Sequence, residues 1–396
     1  LAGPTLHPPG GPNLFPPGFS VTLSNIFAPM SSATSRCRPW VPLLAIVLSL
    51  PTLSGCSDAT SQASHALHDV DATPSAESAL PSLPDDKTLR ERLDNVIELN
   101  GKRHMSPQVN NAWQIIHGML AYGYALQLND NGKLVPGIEW LFDGGQMRGW
   151  QLVPGEKGLK DVEEPGSKSG EGHDDQWLGY FAQCAVPLDA KINVRGQEFT
   201  IHEMVTQAQW DVREDMEATW TLMAFSVYLP LDSKWQARDG SEWSIERLLE
   251  LECRQDLASS TCGGTHRMYG IASTLNRHLA EGGALAGIWQ VADEKVKQAL
   301  ADAREYQQPD GGFSTNYFQR SSSSADIGLR LNTTGHVLEF VCLAATGDEL
   351  RQPWVTRAAT YLCGLLEETA DVPVECGGLY HAVHGLMLYH LRRFGE

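Results

Sequence analysis

From Thr88 onward, apolar residues recur every three to four positions, which is the period of an α-helix. The pattern predicts helices over 88–99, 111–126, 138–145, 172–184, 199–210 and 216–229, then over 244–255, 263–279, 293–307, 334–345, 353–369 and 377–393. In the second of these, Trp113, Ile116, His117 and Leu120 share one face. Strand-like alternation is scarce, so the expected class is all-α.

These segments alternate in character. One member of each pair is amphipathic and charged, as with Arg247, Glu250 and Glu252, or Glu294, Lys295 and Lys297. The next is apolar on most sides beyond a polar first turn, and such a helix belongs in the interior. About six hairpins of roughly 50 residues each therefore fit residues 87–396, as in a helical repeat array. The expected architecture is an (α/α)6 toroid with inner apolar and outer amphipathic helices. Closure removes the need for capping repeats. An open α-solenoid is the alternative.

Gly-Gly pairs stand at the start of two apolar segments, CGGTHRMYG (262–270) and CGGLYHAVHG (376–385). Glycine allows the tight entry such helices need. YQQPDGGF (306–313) resembles the Q-x-P-D-G-[GS]-[FW] signature that precedes inner helices in the terpenoid cyclase and protein prenyltransferase superfamily. The starts at Gly263 and Gly377 are similar. The resemblance implies the toroidal fold and carries no activity. The cyclase acidic motif D-x-D-D lacks its first member at Asp174-Asp175, and the prenyltransferase zinc set has no counterpart. The stretches GSKSGEGHDDQWLGYFAQC, CGGTHRMYG, FSTNYFQR, NTTGHVLEF and ECGGLYHAVHGL also resemble an uncharacterised family of planctomycete-type bacterial lipoproteins. The label "ADP-ribosylation factor-directed GTPase activating protein" has been attached to some of them. That label implies a cysteine zinc finger, and the chain contains no CxxC.

Composition changes the picture at the N-terminus. Residues 1–29 are rich in Pro and Gly and read as an upstream or non-native extension. From Met30, the basic Arg36 and Arg38 precede the short apolar run Trp40 to Leu50, and Leu53-Ser54-Gly55-Cys56 follows. This order predicts a lipoprotein signal peptide over 30–56, with Cys56 lipidated. Ser57 after the cysteine favours the outer membrane, with the body facing the periplasm. A Ser/Ala/Asp/Thr/Pro-rich tether over 57–86 then leads into the helical domain at 87–396. The net charge of −18 excludes a nucleic-acid partner and disfavours polyanionic substrates.

In a toroid the first turns of the inner helices crowd one end of a central cavity, and here those turns are polar. An acid/base pocket would draw on His173, Asp174, His266, His336 and His381, with Asn316 and Tyr380 positioning a substrate. Histidines at helix N-termini stay neutral, and neutral imidazole accepts protons or binds metal. Cys262, His266, Cys376 and His381 supply ligand types that suit zinc. A Cys262–Cys376 disulfide is the rival, since export permits one. Each of these groups can also simply cap a neighbouring helix. The expected function is hydrolase- or lyase-type chemistry on a carbohydrate or small exported substrate. The alternative is a non-enzymatic lipoprotein that captures a ligand or partner in the same cavity.

Overall fold

A computed structural model describes residues 82–164 and 172–395. They fall in one compact unit. The upstream extension, the signal peptide with Cys56 and nearly all of the tether are thus outside the described residues.

Thirteen helices dominate the described residues. They are α1 (Asp86–Gly101), α2 (Ala112–Tyr122), α3 (Gly137–Phe142), α4 (Gln176–Gln183), α5 (Ile201–Asp211), α6 (Thr219–Tyr228), α7 (Ile245–Arg254), α8 (Thr265–Ala280), α9 (Ile288–Glu305), α10 (Ile327–Ala344), α11 (Gly347–Leu350), α12 (Pro353–Glu368) and α13 (Cys376–Phe394). Side-chain caps set many of their starts. Asn111 with Gln114 and Thr200 with Glu203 form capping boxes at α2 and α5, and Ser244 caps α7.

The expected all-α class needs a correction. Eight short strands pair into four antiparallel hairpins: β1 (Gln127–Asp130) with β2 (Lys133–Pro136), β3 (Trp150–Pro154) with β4 (Leu159–Glu163), β5 (Lys191–Val194) with β6 (Gln197–Thr200), and β7 (Lys234–Gln236) with β8 (Glu242–Ser244). Turn chemistry explains two of them directly. Asn131-Gly132 and Arg195-Gly196 both adopt positive φ, the conformation of the type I′ turn that joins two twisted strands. Strands β2, β6 and β8 run straight into α3, α5 and α7, so three of the four hairpins lead directly into a helix.

Helix α6 is buried along nearly its whole length, and α8, α10 and α13 over most of theirs, whereas α7 buries only one face. The mostly buried helices contact one another in the order α2, α4, α6, α8, α10, α13, and α13 returns to α2. Helices α1, α5, α7, α9 and α12 each pack against members of this series.

Helices α10 and α13 make the tightest crossing. Gly335 sits against α13 so closely that a Cβ there would lie 2.5 Å from the Ala382 nitrogen, and Gly385 faces the Gly335 carbonyl in return. Two glycines bring the backbones together and set His336 and Glu339 directly opposite His381 and His384.

Candidate functional site

The two CGG stretches are built differently. At the first, Cys262, Gly263 and Gly264 all take left-handed conformations, with φ of 50°, 61° and 78°. Glycine accepts this freely, but cysteine does so only under constraint. A Cβ at Gly263 would lie 2.2 Å from the Tyr317 ring. The turn presents Cys262 beside His266 in the first turn of α8, and the Cys262 thiol is hydrogen-bonded with the Tyr317 hydroxyl. At the second stretch the chain is already helical, and the Glu375 carboxylate caps the Gly377 and Gly378 amides at 2.7 and 2.8 Å. The shared letters therefore hide a left-handed turn in one place and a capped helix start in the other.

Four buried imidazoles gather where α2, α8, α10 and α13 meet. His336 Nδ1 faces the Asn332 carbonyl at 2.7 Å, so it carries the proton and Nε2 holds a lone pair. His117 is fixed the same way: Nδ1 donates to the Trp113 carbonyl at 2.6 Å, and Nε2 accepts from the Tyr180 hydroxyl at 3.1 Å. His266 Nε2 lies 2.9 Å from His336 Nε2, and its Nδ1 is buried without a hydrogen-bond partner. The His381 ring centroid is 3.7 Å from that of His336 and 5.3 Å from that of His266. Glu339, only 4% exposed, accepts from His381 Nδ1 at 2.8 Å and His384 Nδ1 at 2.7 Å. His381 Nε2 is buried and unpartnered.

Burial sets the charge state here. It drives the pKa values of His117, His266 and His336 well below the ordinary imidazole value, with neighbouring imidazoles adding to the effect. His381 falls to about 3, first through burial and then through His384. Burial raises the Glu339 carboxyl to about 7, against the pull of His384. The cluster is a set of neutral imidazoles around one carboxyl.

Beside it opens a cleft of about 860 Å³. Hairpin β3–β4 contributes Lys160 and Asp161, the turn before α4 contributes His173, Asp174 and Asp175, and the end of α5 contributes Asp211. Three features stand out. His173 Nδ1 is bound by Glu217 at 2.8 Å. Burial works to raise the Glu217 carboxyl, but the His173 hydrogen bond, the Arg267 charge and the Thr219 hydroxyl together outweigh it and hold the pKa below its usual value. Asp161 and Asp175 are raised to about 8 and about 7, by burial first and then by neighbouring carboxylates; Thr221 (2.5 Å) and the Trp177 amide (3.2 Å) partly offset the rise. His173 also links the cleft to the buried cluster, its ring 6.2 Å from that of His266.

The structure thus joins His173, His266, His336 and His381 into one neighbourhood and adds His117, Glu339, Glu217, Asp161 and Asp175, which the candidate set from the sequence lacks. Of the other candidates, Asn316 and Tyr380 sit apart, whereas Asp174 lines the same cleft at its rim. Asp174 is exposed and paired with Arg213 at 2.9 Å. Asn316 turns inward on its own loop, towards Arg320 and Ser322. Tyr380 donates to the Arg103 carbonyl at 3.4 Å and packs edge-on to Tyr122. Cys262, His266 and His336 place potential ligand atoms within 4.8 Å of one another; Cys376 and His381 are not part of that group. All six described cysteines are thiols, so no disulfide links Cys262 to Cys376. His336 is also not in a first turn as expected, because α10 begins at Ile327, well before it.

Comparison of the chain with protein-family models, with curated proteins and with solved structures finds no significant match.

Proposed function

We propose that the protein is an acid/base enzyme of the hydrolase or lyase type, acting in the 860 Å³ cleft on a neutral or amine-bearing polyhydroxyl compound such as a carbohydrate. One observation carries the reading. Asp161 and Asp175, two carboxyls raised close to neutrality, face the same cleft as an imidazole oriented by a carboxylate. Catalytic acids and bases need pKa values near the working pH, and strongly shifted groups in a cleft are the usual mark of them.

The roles follow from the hydrogen bonds. Glu217 accepts from His173 Nδ1, which leaves Nε2 with the lone pair of a general base, oriented as a carboxylate orients a catalytic histidine. Asp161 or Asp175, protonated near neutral pH, supplies the proton to a leaving oxygen. With Asp161 and Asp175 protonated, Glu163, Asp174, Asp211 and Asp239 still outnumber Lys160, Arg213 and Arg238 along the cleft, and all three bases are already paired with carboxylates. The surplus of negative charge argues against an anionic substrate.

The cyclic contact order of the mostly buried helices supports reading residues 87–396 as an (α/α)6 toroid, as in the terpenoid cyclase and prenyltransferase superfamily. The lipobox at Cys56 supports an exported, membrane-anchored protein facing the periplasm.

The test incubates the full chain with neutral polysaccharides, amino-sugar oligomers and peptidoglycan, and follows new reducing ends and unsaturated products. Turnover is expected to fall at least about 100-fold in Asp161→Asn or Asp175→Asn and in His173→Gln, the span of general acid/base catalysis. Turnover that survives all three substitutions refutes the reading. Tight binding without turnover replaces it with ligand capture.

A further inference from the structure

We infer that Cys262, His266 and His336 form a metal centre for a zinc-type divalent ion, built where the left-handed turn before α8 meets the middle of α10. This is independent of the acid/base reading of the cleft.

The ligand set comes first. One sulfur and two imidazole nitrogens approach within 4.8 Å of one another, and thiolate with imidazole is a donor set that selects zinc over the hard cations. Two Zn–N bonds of 2.0–2.1 Å at a tetrahedral angle set their nitrogens about 3.3 Å apart. His266 Nε2 and His336 Nε2 already stand at 2.9 Å, so a small opening of the pair admits the ion.

The second observation is the protonation pattern. His336 donates from Nδ1 to the Asn332 carbonyl, which fixes the tautomer and turns the Nε2 lone pair towards His266. Metal-bound histidines are held this way by an outer partner. Without an ion, His266 must donate from Nε2 to that lone pair. Its own Nδ1 is then an acceptor with no donor, in a side chain only 7% exposed. With an ion, both Nε2 lone pairs are engaged and the His266 proton sits on Nδ1, so the two facing lone pairs no longer need a proton between them. His381 Nε2, also buried and unpartnered, belongs to the ring stacked closest to His336.

The third is backbone strain. Cys262 holds φ 50°, ψ 39°, a conformation a non-glycine residue keeps only where the surroundings impose it. The turn aims the sulfur at the histidine pair. Tyr317, itself at φ 54°, lies over Gly263 and accepts from Asn332 Nδ2 at 3.0 Å. The same Asn332 anchors His336, so the sulfur and the imidazole share one support. Three protein ligands leave a fourth position open, the arrangement of a catalytic rather than a structural zinc.

The experiment equilibrates the full chain with Zn²⁺, and separately with Co²⁺, removes unbound ion, and measures stoichiometry and the cobalt spectrum. One ion per chain and a near-ultraviolet thiolate-to-cobalt charge-transfer band are expected. Cys262→Ser should abolish the band. His336→Gln should weaken binding by more than the 10–100-fold typical of losing an outer-shell partner. Cys376→Ser should change neither. Failure of the wild-type chain to retain an ion overturns the inference without reference to any variant. So does a charge-transfer band that survives Cys262→Ser, or one that is lost only in Cys376→Ser.

Discussion

The α10–α13 crossing makes a sharp demand at Gly335. Alanine there would ordinarily help, because alanine is favoured over glycine in a helix interior by about 1 kcal/mol. The added methyl, however, meets the Ala382 nitrogen at 2.5 Å, the Ala382 Cα at 2.7 Å and the His381 carbonyl carbon at 2.8 Å. All three are backbone atoms and cannot rotate aside. Relief requires the two helices to part by about 0.9 Å to reach ordinary contact. Overpacking of this kind destabilises by about 1–3 kcal/mol, and the rigid neighbours put Gly335→Ala at the upper end. Gly385→Ala is the internal control. Its nearest neighbours are the Gly335 carbonyl at 3.1 Å and Leu338 Cβ at 3.4 Å, so propensity and crowding roughly cancel. Urea unfolding followed by far-ultraviolet circular dichroism should rank Gly335→Ala about 2 kcal/mol below Gly385→Ala. The same displacement should stretch the His381–Glu339 bond. Equal stability of the two variants, or a Gly335→Ala protein as stable as wild type, refutes the close-approach argument.

Two further outcomes follow from buried charge. Asp161 and Asp175 have folded pKa values above their unfolded ones, so the folded state binds more protons and their contribution to stability is lost as pH rises. Between about pH 7.5 and 8.5, a unit or more above the unfolded imidazole value, the buried histidines are mostly neutral in both states; wild-type stability should fall across that window as Asp161 titrates, and Asp161→Asn should flatten the fall. A wild-type curve flat from about pH 7.5 to 8.5 contradicts the assignment. Arg267 pairs with Glu252 at 2.6 Å with both side chains buried, while Glu252 also caps α6 through the Ala218 amide and the Thr219 hydroxyl. Arg267→Met strands that carboxylate and should lose about 3–5 kcal/mol in urea unfolding, most of it recovered by adding Glu252→Gln; a double variant no more stable than the single one shows that the pair is not the cause.

The helices were legible because burial on one face or all faces leaves a period that survives in the letters, as Trp113, Ile116 and Leu120 show. The hairpins were not, because strands of three to five residues are too short for alternation to register; their only trace is the dipeptides Asn131-Gly132, Arg195-Gly196 and Asp239-Gly240. His266, His336 and His381 were visible as polar letters within apolar helices. The carboxyls of the cleft were less legible: Asp161 lies on one of those short strands, and Glu217, within the expected helix 216–229, falls in an irregular segment just ahead of α6. Glu339 did leave a signal, three residues after His336 in a run of otherwise buried positions, where a charge without a partner is improbable. The CGG pair marks the opposite limit: identical residues at 262–264 and 376–378 adopt different backbones, since the first must turn against Tyr317 and the second is capped by Glu375.

The return of α13 to α2 bears on how the molecule is degraded. A linear stack of helical hairpins frays from its termini, and a protease digests it from the ends inward. Here both ends of the described chain are clasped: Arg393 holds Asp86, Arg92 holds Glu367, and Arg103 donates to the carbonyls of Thr369 and Val372. A cut at the exposed Asn131-Gly132 turn should therefore leave the two ends of the described chain still joined through these contacts. Resistance to digestion should depend on the ion pairs between the first and last described helices rather than on any single helix.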